Sequence, residues 1–257
     1  MPGAPILLLH GQPGTARDWD PVIGALGGDA HAIAIDRPGW DGQTPPSDLA
    51  GNAEVALAAL DRACADGATV VGHSFGAGVA AWLAIAHPDR VRALVLVAPA
   101  ANLEALEPVD RLLAAPVVGE LAAALAMGSI GLALAAPPLR RLITRIVGLD
   151  ERYLVSVGRA SLTPAAWRAF VADQRAMVAD LPELNARLDE ISAPVTIVVG
   201  TADRIVPIAA ARALSRQIPG ARLVELEHRG HLLPQRNTGE LAALIRDAAG
   251  AQMAGGT

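Results

Sequence analysis

The 257-residue chain is long enough for one large domain, or for a core domain with an insertion, and its 52% apolar and 18% charged residues support a packed core. A net charge of −5 without a basic stripe makes nucleic acid a poor candidate partner. All 21 basic residues are arginine, which excludes Schiff-base chemistry, pyridoxal phosphate attachment and the lysine of a phosphate-binding loop.

We expect no targeting signal at the start of the chain. The first residues, MPGAPILLLHG, lack a basic segment and have only a short apolar run, so we expect no signal peptide. Residues 117–138 come closest to a membrane span, but Glu120 and several glycines interrupt them. We therefore expect a cytoplasmic protein without a membrane span. The one cysteine, Cys64, lies in a helix-like run and is expected to be packed.

Strand-like and helix-like segments alternate at both ends of the chain. The first part predicts the strand PILLLHG, a helix over about 16–26, the strand AHAIAID, a helix near 49–64, the strand ATVVG, a helix to about 87 and the strand VRALVLVA. The last part predicts the strand PVTIVVG, a helix near 208–217, the strand ARLVELE and a helix near 238–249. This pattern is typical of an α/β fold, a mostly parallel sheet with helices on both faces.

Residues 101–191 depart from this alternation, because only helical patterns broken by prolines occur there. An all-helical block between two strands of one sheet predicts a lid (cap) over the carboxyl edge of the sheet, where ligands bind. The sequence thus predicts a core of residues 1–100 and 192–257 and a lid of residues 101–191. The apolar lid suggests a hydrophobic substrate pocket, for which we expect Met127 and Leu132, with Trp40 and Phe75 from the core.

A nucleophile motif stands between the strand ATVVG and the following helix. Residues 72–76, GHSFG, fit the pattern G-x-S-x-G, in which a tight turn exposes the serine hydroxyl at the end of the sheet. Only small residues fit two positions to either side, as Gly72 and Gly76 do. We expect Ser74 to be the nucleophile, and the N–H of Phe75 to face a developing oxyanion.

A serine hydroxyl needs a base to take its proton, and the base needs an acid to orient it. His231 follows the last strand, and Asp203 follows the strand before it. The order Ser74, Asp203, His231 is the order of an α/β-hydrolase triad. Glu104 and Asp110 remain rival acids, because they follow the preceding strand.

The loop after the first strand, HGQPGT, should supply the second oxyanion donor. Pro13 has no N–H, so Gln12 is the expected donor, with His10 and Gly11 shaping the loop. We expect no metal, since His228 and His231 lack an evident third ligand. We expect no cofactor either: residues 76–81, GAGVAA, match a dinucleotide motif, but the first glycine does not follow its strand directly and the next strand ends without an acid.

Six segments together resemble the α/β-hydrolase superfamily, and within it the lid-bearing esterases and related hydrolases. They are HGQPGT, DRPGWDGQT, VVGHSFGAG, HPDRVRALVLVAP, VTIVVGTADRIVP and GHLLP, within residues 5 to about 244. The resemblance implies a nucleophile, an acid, a base that later acts as acid, and two oxyanion-hole donors. Those residues are, in that order, Ser74, Asp203, His231, and the main-chain N–H groups of Gln12 and Phe75.

The leading expectation is a serine hydrolase that cleaves a small, hydrophobic carboxylic ester through an acyl-enzyme. The same triad serves carbon–carbon bond hydrolysis, thioester hydrolysis, lactone opening and acyl transfer or perhydrolysis, and these alternatives stay open. A small-molecule receptor on the same fold is the non-enzymatic alternative. Ser74 disfavours relatives with an aspartate nucleophile, such as haloalkane dehalogenases and epoxide hydrolases.

Overall fold

The computed structural model describes residues 5–254, so the ends of the predicted core segments, 1–4 and 255–257, lie outside the described residues. Six strands form one sheet in the order β2-β1-β3-β4-β5-β6, and every neighbouring pair is parallel. The strands are β1 (Ile6–Leu9), β2 (Ala32–Ile35), β3 (Ala68–His73), β4 (Val91–Val97), β5 (Val195–Gly200) and β6 (Arg222–Leu226).

Eleven α-helices connect and cover the strands of this described region. They are α1 (Asp20–Leu26), α2 (Leu49–Arg62), α3 (Phe75–Ala86), α4 (Pro108–Ala114), α5 (Val118–Ala135), α6 (Pro137–Val147), α7 (Glu151–Ser161), α8 (Pro164–Ala186), α9 (Ile208–Gln217), α10 (Leu233–Arg236) and α11 (Thr238–Ala254). A 3₁₀ turn at Ala16–Trp19 precedes α1.

Both faces of the sheet are buried, as the continuous apolar strands predict. In β1, Leu7 and Leu9 belong to the core under α2 and α3, whereas Ile6 and Leu8 belong to the core under α1 and α11. All four side chains are at most 4% exposed. Successive side chains of a strand therefore point into two different cores, one on each face of the sheet. The predicted α/β fold is confirmed.

The predicted lid region holds only helices and 3₁₀ turns between β4 and β5, in the described chain. Helix α5 packs against α7 and α8, and α8 packs in turn on α3 and α2 of the core. Helix α8 thus carries the lid over the end of the sheet where β1 and β3 finish. We call residues 101–191 the lid; its division from the core at these positions stays a prediction.

Helix α5 is also apolar on its outer side. Over its 18 residues the mean hydropathy is 1.7, so by length and composition it is the one helix among residues 5–254 that could cross a membrane. The segment is the one interrupted by Glu120 and several glycines, and a single helix of this kind is only weak evidence for a membrane span. Several of its leucines are exposed rather than packed, including Leu132, which is 68% exposed.

The cysteine expectation is wrong. Helix α2 ends at Arg62, so Cys64 falls in the turn after it instead of in the helix. Its φ of 51° lies in the left-handed region, and the residue is exposed.

Candidate active site

The turn between β3 and α3 has the strained geometry that the sequence predicts. Ser74 has φ 54° and ψ −120°, a conformation that costs energy for a residue with a side chain. A Cβ at position 72 would overlap the carbonyl of Gly76, and one at position 76 would overlap the carbonyl of Leu9. Glycine is therefore required at both positions for the strand and the helix to approach so closely.

Ser74 lies at the wall of a cavity of about 770 Å³ beneath the lid. Core loops contribute Gln12 and Asp203 to the lining, and α8 contributes Phe170 and Met177. The serine is only 6% exposed, so the cavity is its access to small molecules. The cavity wall is mostly apolar, with a few polar groups near Ser74, which is typical of a small-molecule site.

The structure brings His231 and Asp203 together. His231 Nδ1 donates a hydrogen bond of 2.8 Å to Asp203 Oδ2. Asp203 Oδ1 accepts the N–H groups of Ile205 and Val206 at 2.8 and 3.0 Å. The carboxylate is thus fixed by its own loop, and it directs the imidazole so that Nε2 remains available to act as a base.

The charge of Asp203 is stabilised despite its enclosure. Burial raises the pKa of this carboxyl, but the hydrogen bond from His231 and the two main-chain N–H groups outweigh burial and leave the pKa below its usual value. Asp203 is therefore ionised across the neutral range, which the expected orienting role requires.

His73 is a part of this site that the sequence reasoning missed. Its Nε2–H donates to the carbonyl of His231 at 3.0 Å, and the two rings lie 4.9 Å apart. Burial and the nearby His231 lower the pKa of His73 to about 3, so its ring is neutral. Because His73 immediately precedes Ser74, this contact holds the His231 loop against the turn that carries Ser74. A histidine at the second position of G-x-S-x-G is the signal that could have found it.

The two expected oxyanion donors belong to residues next to Ser74, one in sequence and one in the lining of the same cavity. Phe75 opens α3, so its N–H has no intrahelical acceptor. The loop after β1 passes so close that a Cβ at Gly11 would stand 3.0 Å from Ser74 Cβ, and the next residue, Gln12, lines the same cavity as Ser74. Within residues 5–254 neither N–H has a protein acceptor, so both are free for an oxyanion.

The structure places some of the predicted pocket residues at a cavity and others away from it. Trp40 and Met127 line a second cavity of about 370 Å³, which adjoins the Ser74 cavity at Pro13. Leu132 does not contribute: it projects from the outer side of α5 and lines neither cavity. The side chain of Phe75 is fully buried and lies 4.4 Å from the guanidinium carbon of Arg37, so it supports the site from below instead of lining it.

Among the described residues neither rival acid forms a hydrogen bond to His231, whose side-chain partner is Asp203. Asp110 lines the Ser74 cavity but accepts the N–H of Glu107 at 2.8 Å, and Glu104 is exposed. His228 is exposed with φ 59°, away from the hydrogen bond that His231 makes. Among the described residues no cluster of three histidine, cysteine or acidic side chains could hold a metal ion.

Known proteins are similar to this chain in sequence and in fold. The profile of the Alpha/beta hydrolase family matches residues 6–244. A pimeloyl-[acyl-carrier protein] methyl ester esterase of Neisseria meningitidis serogroup C is 32% identical over 246 residues, which cover 94% of this chain and 92% of that protein. A 2-hydroxymuconate semialdehyde hydrolase of Pseudomonas sp. is 28% identical over 254 residues, covering 95% and 86%.

Solved structures agree at the level of the fold. A thermophilic esterase from Thermogutta terrifontis superposes with a TM-score of 0.70 at 22% identity, and the match covers 97% of this chain and 90% of the esterase. The profile match spans nearly the whole described chain, and the expected resemblance is confirmed. The chain therefore belongs to the Alpha/beta hydrolase family and is a hydrolase of that family.

Proposed function

We propose that the protein hydrolyses small hydrophobic carboxylic esters through an acyl-enzyme formed on Ser74. The observation that carries the proposal is the 2.8 Å hydrogen bond from His231 to the enclosed Asp203, next to a strained serine turn. Orientation of a histidine by a buried carboxylate is the arrangement that lets a serine hydroxyl act as a nucleophile.

In the first half-reaction Ser74 Oγ attacks the ester carbonyl carbon while His231 Nε2 takes the hydroxyl proton. The carbonyl oxygen becomes an oxyanion, which the N–H groups of Gln12 and Phe75 stabilise. Asp203 stabilises the imidazolium. The carbon–oxygen bond to the alcohol then breaks, and His231 gives its proton to the leaving alcohol.

In the second half-reaction water replaces the alcohol. His231 takes a proton from the water as its oxygen attacks the acyl carbon, and the same oxyanion forms again. The bond to Ser74 Oγ breaks, the serine recovers a proton from His231, and the carboxylic acid leaves. A cavity of about 770 Å³ with apolar walls from α8 supports a small, hydrophobic acyl or alcohol group.

The test is a panel of p-nitrophenyl esters from acetate to decanoate, assayed with the wild type and with Ser74→Ala. We expect kcat/KM to peak at a short or medium chain and Ser74→Ala to lose about 10⁶-fold in kcat. A Ser74→Ala variant that keeps a tenth of the activity contradicts the proposal. Turnover of a meta-cleavage dienoate but of no ester would favour carbon–carbon hydrolysis instead. Tight binding without turnover of any substrate would favour a receptor.

A second candidate substrate is a methyl ester borne by an acidic carrier protein, because one exposed segment of the lid is basic in an acidic protein. Residues 137–159 hold five arginines and two acidic residues, whereas the whole chain has a net charge of −5. Within the described chain only Arg140 of these five pairs with a carboxylate, that of Glu151. The others are exposed and make no ion pair there: Arg141, Arg145, Arg152 and Arg159.

This second candidate also accords with the printed activity of the Neisseria relative, a pimeloyl-[acyl-carrier protein] methyl ester esterase. The test compares a dicarboxylate monomethyl ester, free and attached to acyl carrier protein, at low and high salt. We expect the attached ester to be cleaved at least about tenfold better, with the advantage lost at high salt and in Arg141→Glu/Arg145→Glu. The matched control is Arg62→Glu at the end of α2. Equal rates for both esters at low salt would contradict it.

A further inference from the structure

The loop that carries Gln12 is held from below by a buried ion pair that reaches into the lid. We propose that Arg37, fixed by Asp173 of α8, positions the Gln12 N–H for the oxyanion and so couples lid placement to ester hydrolysis. The proposal rests on the proposed function, and it assigns to Arg37 and Asp173 a positioning role rather than contact with substrate.

The first contact concerns the carbonyl oxygen of Gly11. Arg37 Nη2 donates to it at 3.0 Å, and His10 Nδ1 is 2.8 Å from it. The main-chain N–H of Arg37 donates to His10 Nε2 at 3.0 Å, so the ring proton must be on Nδ1, where it donates to the Gly11 oxygen. Burial and the charge of Arg37 lower the pKa of His10 well below its usual value, which fits this neutral tautomer.

That carbonyl belongs to the same peptide unit as the Gln12 N–H. The peptide group is planar, and this one is trans, so the C=O and the N–H point in opposite directions. Two donors on the Gly11 oxygen therefore fix the direction of the Gln12 N–H. A cationic donor on the carbonyl also polarises the amide and strengthens its N–H as a donor.

Arg37 is itself fixed on every side. Its Nε donates to the His10 carbonyl at 2.9 Å, and its Nη1 donates to Asn52 Oδ1 at 3.2 Å. The guanidinium stacks on the Phe75 ring, the residue that supplies the other oxyanion donor. Arg37 is 1% exposed, so its charge needs a partner, and every contact except that partner comes from the core.

The partner comes from the lid. Asp173 on α8 accepts Arg37 Nη1 at 3.2 Å and Nη2 at 2.7 Å, a two-point pair that is fully buried. Trp40 Nε1 donates to the same carboxylate at 2.9 Å. Since 136 residues separate Arg37 from Asp173, the geometry of the oxyanion loop depends on where the lid sits. A displaced α8 leaves a buried cation unpaired, and the Gly11 carbonyl loses its fixed donor.

The test compares Asp173→Asn with Asp180→Asn in the wild-type chain. Both positions are on α8, and both carboxylates contact the core, but Asp180 accepts the Leu49 N–H at 2.9 Å and touches no part of the oxyanion loop. We expect Asp173→Asn to lower kcat about tenfold to a hundredfold, because a small misplacement of one donor has that cost. KM should change less than about threefold, and Asp180→Asn should resemble the wild type.

A second readout separates positioning from loss of folded protein. A trifluoromethyl ketone adds to a serine hydroxyl and puts an oxyanion in the hole, so its Ki should rise in Asp173→Asn in proportion to the loss of kcat. A Ki and a kcat within about twofold of Asp180→Asn overturn the proposal. If Asp173→Asn does not fold, Trp40→Phe removes one hydrogen bond to Asp173 and should show both effects at about threefold; unchanged values there overturn it equally.

Failure of this inference is distinguishable from failure of the proposed function. If Ser74→Ala abolishes turnover while Asp173→Asn matches Asp180→Asn, only the positioning role is wrong. If Ser74→Ala keeps its activity, the ester-hydrolysis mechanism itself is wrong, whatever Asp173→Asn does.

Discussion

The two carboxylate oxygens of Asp203 have different hydrogen-bond partners. One oxygen is occupied by two N–H groups of its own loop, and the other holds His231. The side chain is 0% exposed, so no water competes for the imidazole. This arrangement gives His231 one tautomer and one orientation, and the proposed activation of Ser74 depends on both.

Asp203→Asn should therefore lower kcat about 10⁴-fold with KM nearly unchanged, because an amide can turn its NH₂ toward the imidazole and stabilise the wrong tautomer. The measurement is steady-state hydrolysis of the best ester of the panel. Glu104→Gln, at the exposed rival acid, is the control and should stay near the wild type. Loss at Glu104 with retention at Asp203 would reassign the acid.

At the scale of elements, the lid is held together by close helix crossings at glycine. A Cβ at Gly158 of α7 would stand 2.8 Å from Leu134 Cβ of α5, a separation that packed carbon atoms do not reach. The nearest atom to a Cβ at Gly128, also on α5, is 4.0 Å away. Gly158 is therefore required for the close approach of α5 and α7, whereas position 128 has room for a side chain.

We expect Gly158→Ala to destabilise the lid, because α5 and α7 must separate, and to speed limited proteolysis within residues 115–163. Gly128→Ala should instead stabilise by about 0.5–1 kcal/mol, since alanine costs less backbone entropy in a helix. The measurements are the melting temperatures and the limited-proteolysis rates of Gly158→Ala and Gly128→Ala. Equal effects of the two substitutions would show that the α5–α7 crossing is looser than described.

At the scale of the whole molecule, stability should respond to a carboxyl that the mechanism does not use. Asp18 lines the second cavity near Tyr153 and accepts the Thr15 N–H at 3.2 Å. Burial raises the pKa of Asp18 to about 7, and the negative charges of Asp36 and Asp20 add to that rise. Between about pH 4 and 7 the folded protein holds a proton there that the unfolded chain releases, so its contribution to stability falls as pH rises.

Asp18→Asn removes that dependence while keeping an acceptor for Thr15. The melting temperature of the variant minus that of the wild type should grow from pH 5 to about 7 and level off above it. We expect a gain of roughly 3–6 °C at pH 8. The exposed Asp29→Asn is the control. A difference that is constant with pH would mean that Asp18 is ionised in the folded protein at pH 5.

The parts of the molecule that the sequence predicts are those governed by local patterns. Continuous apolar runs predict the strands, and two glycines at a fixed spacing predict the turn at Ser74. Ser74, Asp203 and His231 each follow a strand, and parallel strands end at one edge, so their proximity is a consequence of topology.

Contacts between distant segments were beyond that reasoning. The pairing of Arg37 with Asp173 spans 136 residues and depends on where α8 lies, which no local pattern encodes. The prediction that Leu132 lines the pocket was wrong for a similar reason. Apolar residues occur around much of α5, so the sequence does not reveal which side of the helix faces the core. The prediction that Cys64 is packed in a helix was wrong because α2 ends two residues earlier than expected, at Arg62.

The proposed role of Ser74 as a nucleophile activated by His231 is testable by reaction with one equivalent of a fluorophosphonate, followed by digestion and mass spectrometry. A serine nucleophile activated by a histidine should give a single adduct on Ser74, no adduct in Ser74→Ala, and much slower adduct formation in His231→Gln. Labelling of another residue, or no labelling by a protein that still hydrolyses esters, would contradict it.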